Sequence, residues 1–160
     1  MKRSNLAHLG LFSALAIILG YVESLLPVFS GIPGIKLGLA NLAILFMLKR
    51  YSFKEAACVS IVRILVIGFM FGNLFSILYS LAGAALSLTV MTLLKKHTDF
   101  SLIGISIAGG VTHNIGQLIV AMLVVESTSL IVYAPALLIS GIITGLLIGI
   151  VTTEVHKRIH

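Results

Sequence analysis

Residues 73–97 read NLFSILYSLAGAALSLTVMTLLKKH. No Asp, Glu, Lys or Arg occurs from Asn73 to Leu94, and the run then closes on Lys95-Lys96-His97. A helix that crosses a bilayer needs about 20 mostly apolar residues, so this stretch reads as one span with a basic end. The same unit recurs along the chain. Nine of the eleven Lys and Arg residues fall in Lys2-Arg3, Lys49-Arg50-Lys54, Lys95-Lys96 and Lys157-Arg158, each at one end of an apolar run. Cytoplasmic loops collect Lys and Arg. The layout predicts an all-α integral membrane protein of six transmembrane helices with both termini cytoplasmic. Its place is then the cell (plasma) membrane, multi-pass and bacterial-type. The expected spans are 6–26, 35–48, 53–71, 73–94, 101–125 and 130–152, forming one domain over 1–160. The first apolar run is too long for the h-region of a removable signal and is read as the first helix.

Composition excludes the soluble classes. The chain has 160 residues, 59% hydrophobic and 10% charged, where a soluble domain carries about 25% charged residues. The net charge of +6 belongs to the basic clusters and suits anionic lipid headgroups, not nucleic acid. A prenyl diphosphate synthase holds Mg²⁺ with clustered aspartates, and this chain has one, Asp99. There is no P-loop, no Gly-x-Ser-x-Gly elbow and no His-Glu-x-x-His pair. Catalysis by this chain alone is not expected, nor is a cofactor or a metal site. The single Cys58 rules out an intrachain disulfide and is read as a packing residue.

Polar groups inside the spans are then the candidates for function, because ionisable side chains in a membrane are costly. Arg63 lies near the middle of the third span, where a guanidinium fork suits carboxylate or phosphate. A structural ion pair with Glu23, in the outer half of the first span, is the competing reading. In the fifth span His113, Asn114 and Gln117 sit three and four apart, on one side of a helix. Gly109, Gly110 and Gly116 leave room beside them for a ligand or for another backbone. Lys36 and Asn41 begin the second span from outside, below the turn-rich loop 27–34. The pattern suits an outward-facing cavity with a lid, taking an anionic or strongly hydrogen-bonding ligand; interhelical glue is the alternative. In the sixth span Gly141, Gly145 and Gly149 form a small-residue face, for packing inside this protein or for docking another subunit.

Several stretches together resemble a known family. Gly34-Ile35-Lys36-Leu37-Gly38-Leu39-Ala40-Asn41, Arg63, the run Leu78-Tyr79-Ser80-Leu81-Ala82-Gly83 with Ser87 and Met91, and His113-Asn114-x-x-Gln117 resemble the heptaprenyl diphosphate synthase component I family, also called the Gx transporter family. That family is similar to the substrate-binding S components of energy-coupling factor transporters. The resemblance implies an S-component-like bundle that captures a small metabolite from outside. Its substrate-binding residues would be Lys36, Asn41, Arg63, His113, Asn114, Gln117 and Glu23. Gly10, Ala14, Ala16 and Gly20 on the first helix match the small residues that dock on a transmembrane energising subunit with ATPases below. The family's label implies a different partner, a soluble prenyl synthase, and a role as a membrane accessory subunit in prenyl diphosphate and menaquinone biosynthesis.

Overall fold

The computed structural model describes residues 3–25 and 38–159. Six α-helices follow one another: α1 (Arg3–Leu25), α2 (Leu39–Arg50), α3 (Phe53–Phe71), α4 (Leu74–His97), α5 (Leu102–Val125) and α6 (Ala134–Ile159), with a 3₁₀ segment at Thr128–Tyr133 before α6. The starts of α4 and α5 follow capping chemistry. The Asn73 side chain accepts the Ser76 N–H while the Ser76 hydroxyl accepts the Asn73 N–H, which closes a capping box. Ser101 caps α5 through Gly104. The sixth helix begins later than the apolar pattern suggests, because the 3₁₀ turns intervene and Pro135 sits in the first α-turn, where its missing N–H is tolerated.

The helices close into a ring. The α1 helix packs on α3, α3 on α4, α4 on α5 and α5 on α6, and α2 completes it by touching α1, α3 and α6. Six consecutive residues of α2, Ala43 to Leu48, are buried. Consecutive positions cover every side of a helix, so this part of α2 is enclosed all round, which fits the unbroken apolar run from Leu42 to Leu48. The main core gathers Met47, Val59, Leu88 and Ile105 around it.

The contacts between α4, α5 and α6 depend on glycine. A side chain at Gly145 would stand 2.7 Å from the Ile107 Cα, and one at Gly149 would stand 2.8 Å from the Ile103 Cα. A side chain at Gly116 would stand 2.9 Å from the Ala82 carbonyl oxygen, and Gly110 and Gly141 lie against each other's backbone. The small-residue face of α6 is therefore spent on packing inside this chain. The glycines of α5 admit neighbouring backbone at Gly110 and Gly116 and the Met91 side chain at Gly109, rather than leaving a gap.

One end of the bundle collects the basic residues. The Lys95 ammonium donates to the carbonyls of Leu48 at 2.6 Å and Lys49 at 3.3 Å, which joins the ends of α2 and α4. His8 of α1 contacts Tyr51, and Phe46 contacts His156 of α6. At the opposite end Tyr21 contacts Phe71, and Glu23 accepts the Gly38 N–H. Among the described residues four helices are long and apolar enough to cross a membrane: Leu6–Leu25, Leu74–His97, Leu102–Val125 and the segment Thr128–Arg158. Large apolar side chains face outward all along the bundle, among them Phe69 and Leu123, each 71% exposed. Soluble monomers do not expose apolar surface on that scale, so the outer surface is that of a membrane protein. Cys58 is exposed on α3, not packed in the core as its apolar setting suggests.

Candidate functional site

A central cavity opens between α2, α3, α4, α5 and α6. Asn41 enters from α2, Ser60 from α3, Ser87 and Met91 from α4, Ser106 and His113 from α5, and Thr144 from α6. It includes about 450 Å³ of empty space, part of it open to solvent, of which about 30 Å³ is wide enough for the centre of a water molecule. The cavity is therefore narrow in this conformation, and a drug-sized ligand would need the helices to part.

Its polar character comes from hydroxyls. Ser60, Ser87 and Ser106 are 2%, 6% and 5% exposed, yet they stand on three different helices and all line this space. The threonines behave differently. Thr89, Thr92, Thr112, Thr152 and Thr153 each donate to the carbonyl four residues earlier on their own helix, which satisfies the hydroxyl locally. Ser60 and Ser106 were missed in the sequence reading, and Ser87 entered it only as part of the stretch that carries the family resemblance, not as a candidate site residue. The signal available was a serine inside an otherwise apolar helix.

Of the residues expected to bind a substrate, two reach the cavity, Asn41 and His113. Asn114 is held by α6, where its amide donates to the Leu137 carbonyl at 2.7 Å and to the Ser140 hydroxyl at 3.2 Å. Gln117 is buried against α4, its Cγ beside Gly83, and its Oε1 has no hydrogen-bond partner among the described residues. Lys36 and the loop 27–34 lie outside the described residues.

Glu23, Gly38 and Arg63 form a second group near the other end. Gly38 has a left-handed backbone (φ 72°) at the start of α2, a conformation that favours glycine. Its N–H donates to the Glu23 carboxylate, and a side chain here would meet Ile148 at 3.0 Å and Asn41 at 3.3 Å. Gly38 thus ties the Glu23 carboxylate to the upper rim of the cavity. Arg63 lies within electrostatic reach of Glu23 but forms no ion pair within 4.0 Å among the described residues, and its Nε is buried without a hydrogen-bond partner there.

The small residues of α1 divide. Ala16 and Gly20 are buried, with Gly20 against Ile67. Gly10 and Ala14 face outward, and nothing lies within 4 Å of the position a Gly10 side chain would take. Only half of the expected docking stripe is open to a partner.

A third feature was not foreseen. At the basic end a cleft lies between α2, α4 and the start of α5, with Lys49 and Lys95 at its edge and Leu45, Leu48 and Ile105 beneath.

No curated protein and no solved structure matches the chain. The family described as heptaprenyl diphosphate synthase component I matches residues 12–155, which cover α2 to α5 whole and most of α1 and α6, and the chain belongs to that family.

Proposed function

We propose that this protein is the membrane-embedded accessory component of a heptaprenyl diphosphate synthase system, holding a soluble synthase at the bilayer. In this reading all six helices lie in the plasma membrane, with both chain ends and the basic clusters on the cytoplasmic side. The observation that carries it is the joining of two basic clusters that are far apart in sequence. Lys95 reaches the carbonyls at the end of α2, so the end of α2 that carries Lys49 and Arg50 lies beside the end of α4 that carries Lys95 and Lys96. A basic face steers and orients an acidic partner, and a synthase that holds Mg²⁺ with clustered aspartates is acidic where its substrates enter. A polyprenyl product partitions into lipid, so a synthase docked at the membrane releases it where it dissolves. The test is co-purification of the synthase with the full-length protein from membranes. Capture by the wild type and loss on neutralising Lys49, Arg50, Lys95 and Lys96 together supports the reading. Capture that survives those changes removes the basic face from it.

The central cavity favours a second reading, a substrate-binding transporter component of the S type. Buried serines on three helices, with Asn41 and His113, offer hydrogen bonds to a small polar ligand. Gly10 and Ala14 would supply the docking face for an energising subunit. Ligand binding to the folded state raises stability by mass action. Thermal shifts with a panel of vitamins, flavins and quinone precursors, lost in His113→Ala and Asn41→Ala, would favour this reading over the first.

A further inference from the structure

The cleft at the basic end has the build of an amphiphile site. Its exposed edge carries Lys49, Lys95 and Phe100, and its base is the buried surface of Leu45, Leu48 and Ile105. The cleft includes about 440 Å³ of empty space, continuous with solvent. Two ammonium groups line it, and among the described residues no carboxylate does. The ion pair found among the described residues, Lys157–Glu154, is elsewhere, and Asp99, the acid of the α4–α5 connection, does not line the cleft. Lys95 spends two donors on the Leu48 and Lys49 carbonyls and keeps a third, because an ammonium has three. The positive end of the α5 dipole also borders the space, since Leu102 opens that helix and lines the cleft. Positive charge at the edge and apolar side chains at the base are what a molecule with an anionic head and a hydrocarbon chain requires.

We propose that this cleft binds an amphiphile with a phosphate or diphosphate head, Lys49 and Lys95 taking the head and Leu45, Leu48 and Ile105 the first part of the chain. The space is too short for a long polyprenyl chain, whose remainder runs out between the helices into lipid. An anionic lipid presents the same chemistry as a prenyl diphosphate. Preference for the prenyl compound rests on the synthase reading above; the cleft itself does not.

The probe is radiolabelled farnesyl diphosphate, added to the full-length protein in nanodiscs of phosphatidylcholine. Saturable binding is expected, weakened about tenfold by Lys49→Gln and about tenfold by Lys95→Gln, the weight of one charge-assisted contact. Lys95→Arg keeps the charge and retains binding, which separates loss of the site from loss of the fold. Phe100→Ala weakens farnesyl diphosphate and leaves competition by inorganic pyrophosphate unchanged. Nanodiscs doped with phosphatidylglycerol distinguish the sources. Undiminished binding assigns the cleft to the prenyl compound, and displacement that depends on the same lysines assigns it to the lipid head; both support the site. Equal retention of farnesyl diphosphate and of phosphatidylglycerol by wild type and by the Lys49→Gln/Lys95→Gln double variant overturns it. Synthase capture is scored separately, so loss of docking with intact probe binding, or the reverse, tells the two proposals apart.

Discussion

The carboxylate of Glu23 accepts the backbone N–H of Gly38, fifteen residues further along the chain. This single bond ties the end of α1 to the start of α2 and brings a negative charge within reach of Arg63. A hydrogen bond to a charged group contributes about 1.5–3 kcal/mol. Glu23→Ala should therefore lower stability by about that amount in a detergent melt. Arg63→Ala made together with it should cost less than the sum of the two single changes, because residues that share one electrostatic environment couple by about 0.5 kcal/mol or more. Strict additivity would remove the link between Glu23 and Arg63.

Gly145 and Gly10 give opposite expectations from the same substitution. A methyl at Gly145 meets the Ile107 Cα at 2.7 Å, and backbone gives way less readily than a flexible side chain. Gly145→Ala should destabilise by about 1–3 kcal/mol, the usual cost of overpacking. Gly10→Ala meets nothing within 4 Å and gains helix propensity of about 1 kcal/mol, so its melting temperature should hold or rise. Equal losses at both positions would contradict the packing of α5 on α6.

The serines of the central cavity are expected to be dispensable for folding. Ser87→Ala and Ser106→Ala remove hydroxyls of residues that line the cavity, and each should change stability by less than about 0.5 kcal/mol. A large loss at either would mean that the hydroxyl is structural, and would weaken the case for the cavity as a ligand site.

Lys95 and Lys96 are neighbours with different tasks. Lys95→Ala uncovers the Leu48 carbonyl, an acceptor at 2.6 Å, and should cost about 1 kcal/mol. Lys96→Ala should be neutral. The pair of melts checks whether the α2–α4 tie holds in the membrane-solubilised protein.

Cys58 tests which surface faces lipid. It is exposed on α3, five residues beyond the start of that helix at Phe53. It should react with a small apolar maleimide and resist a charged, membrane-impermeant one in intact vesicles. Rapid labelling by the charged reagent would place this face of α3 in water.

The helices were legible because charge and apolar length follow directly from the bilayer. The third helix ends where the charge pattern places it, at Phe53 and Phe71. The span-forming character is uneven, however. The α3 helix carries Lys54, Glu55 and Arg63, and α2 has 12 residues, so four helices meet the length and apolarity of a membrane span by themselves. The site was less legible. Asn114 has the same side-chain chemistry as Asn41, yet one is fixed between α5 and α6 and the other lines the cavity. Sequence spacing puts His113, Asn114 and Gln117 on one side of α5 but does not say which neighbour that side meets. Ser60 and Ser106 escaped notice, and Ser87 was not read as a site residue, because a hydroxyl in a helix usually bonds its own backbone, as five threonines here do.

The brevity of α2 has a consequence for how the protein is made. Twelve residues rise about 18 Å, well short of a hydrocarbon core of about 30 Å. Six successive positions of the helix are covered by protein, so lipid is not its resting solvent. Such a segment leaves the ribosome unable to partition stably by itself. It must wait at the insertion machinery or at the bilayer surface until α3 has been synthesised, and then enter with α1 and α3 as a unit. Arrest of translation just after Arg50 should therefore leave α2 accessible to protease, and protection should appear only when the nascent chain extends beyond α3.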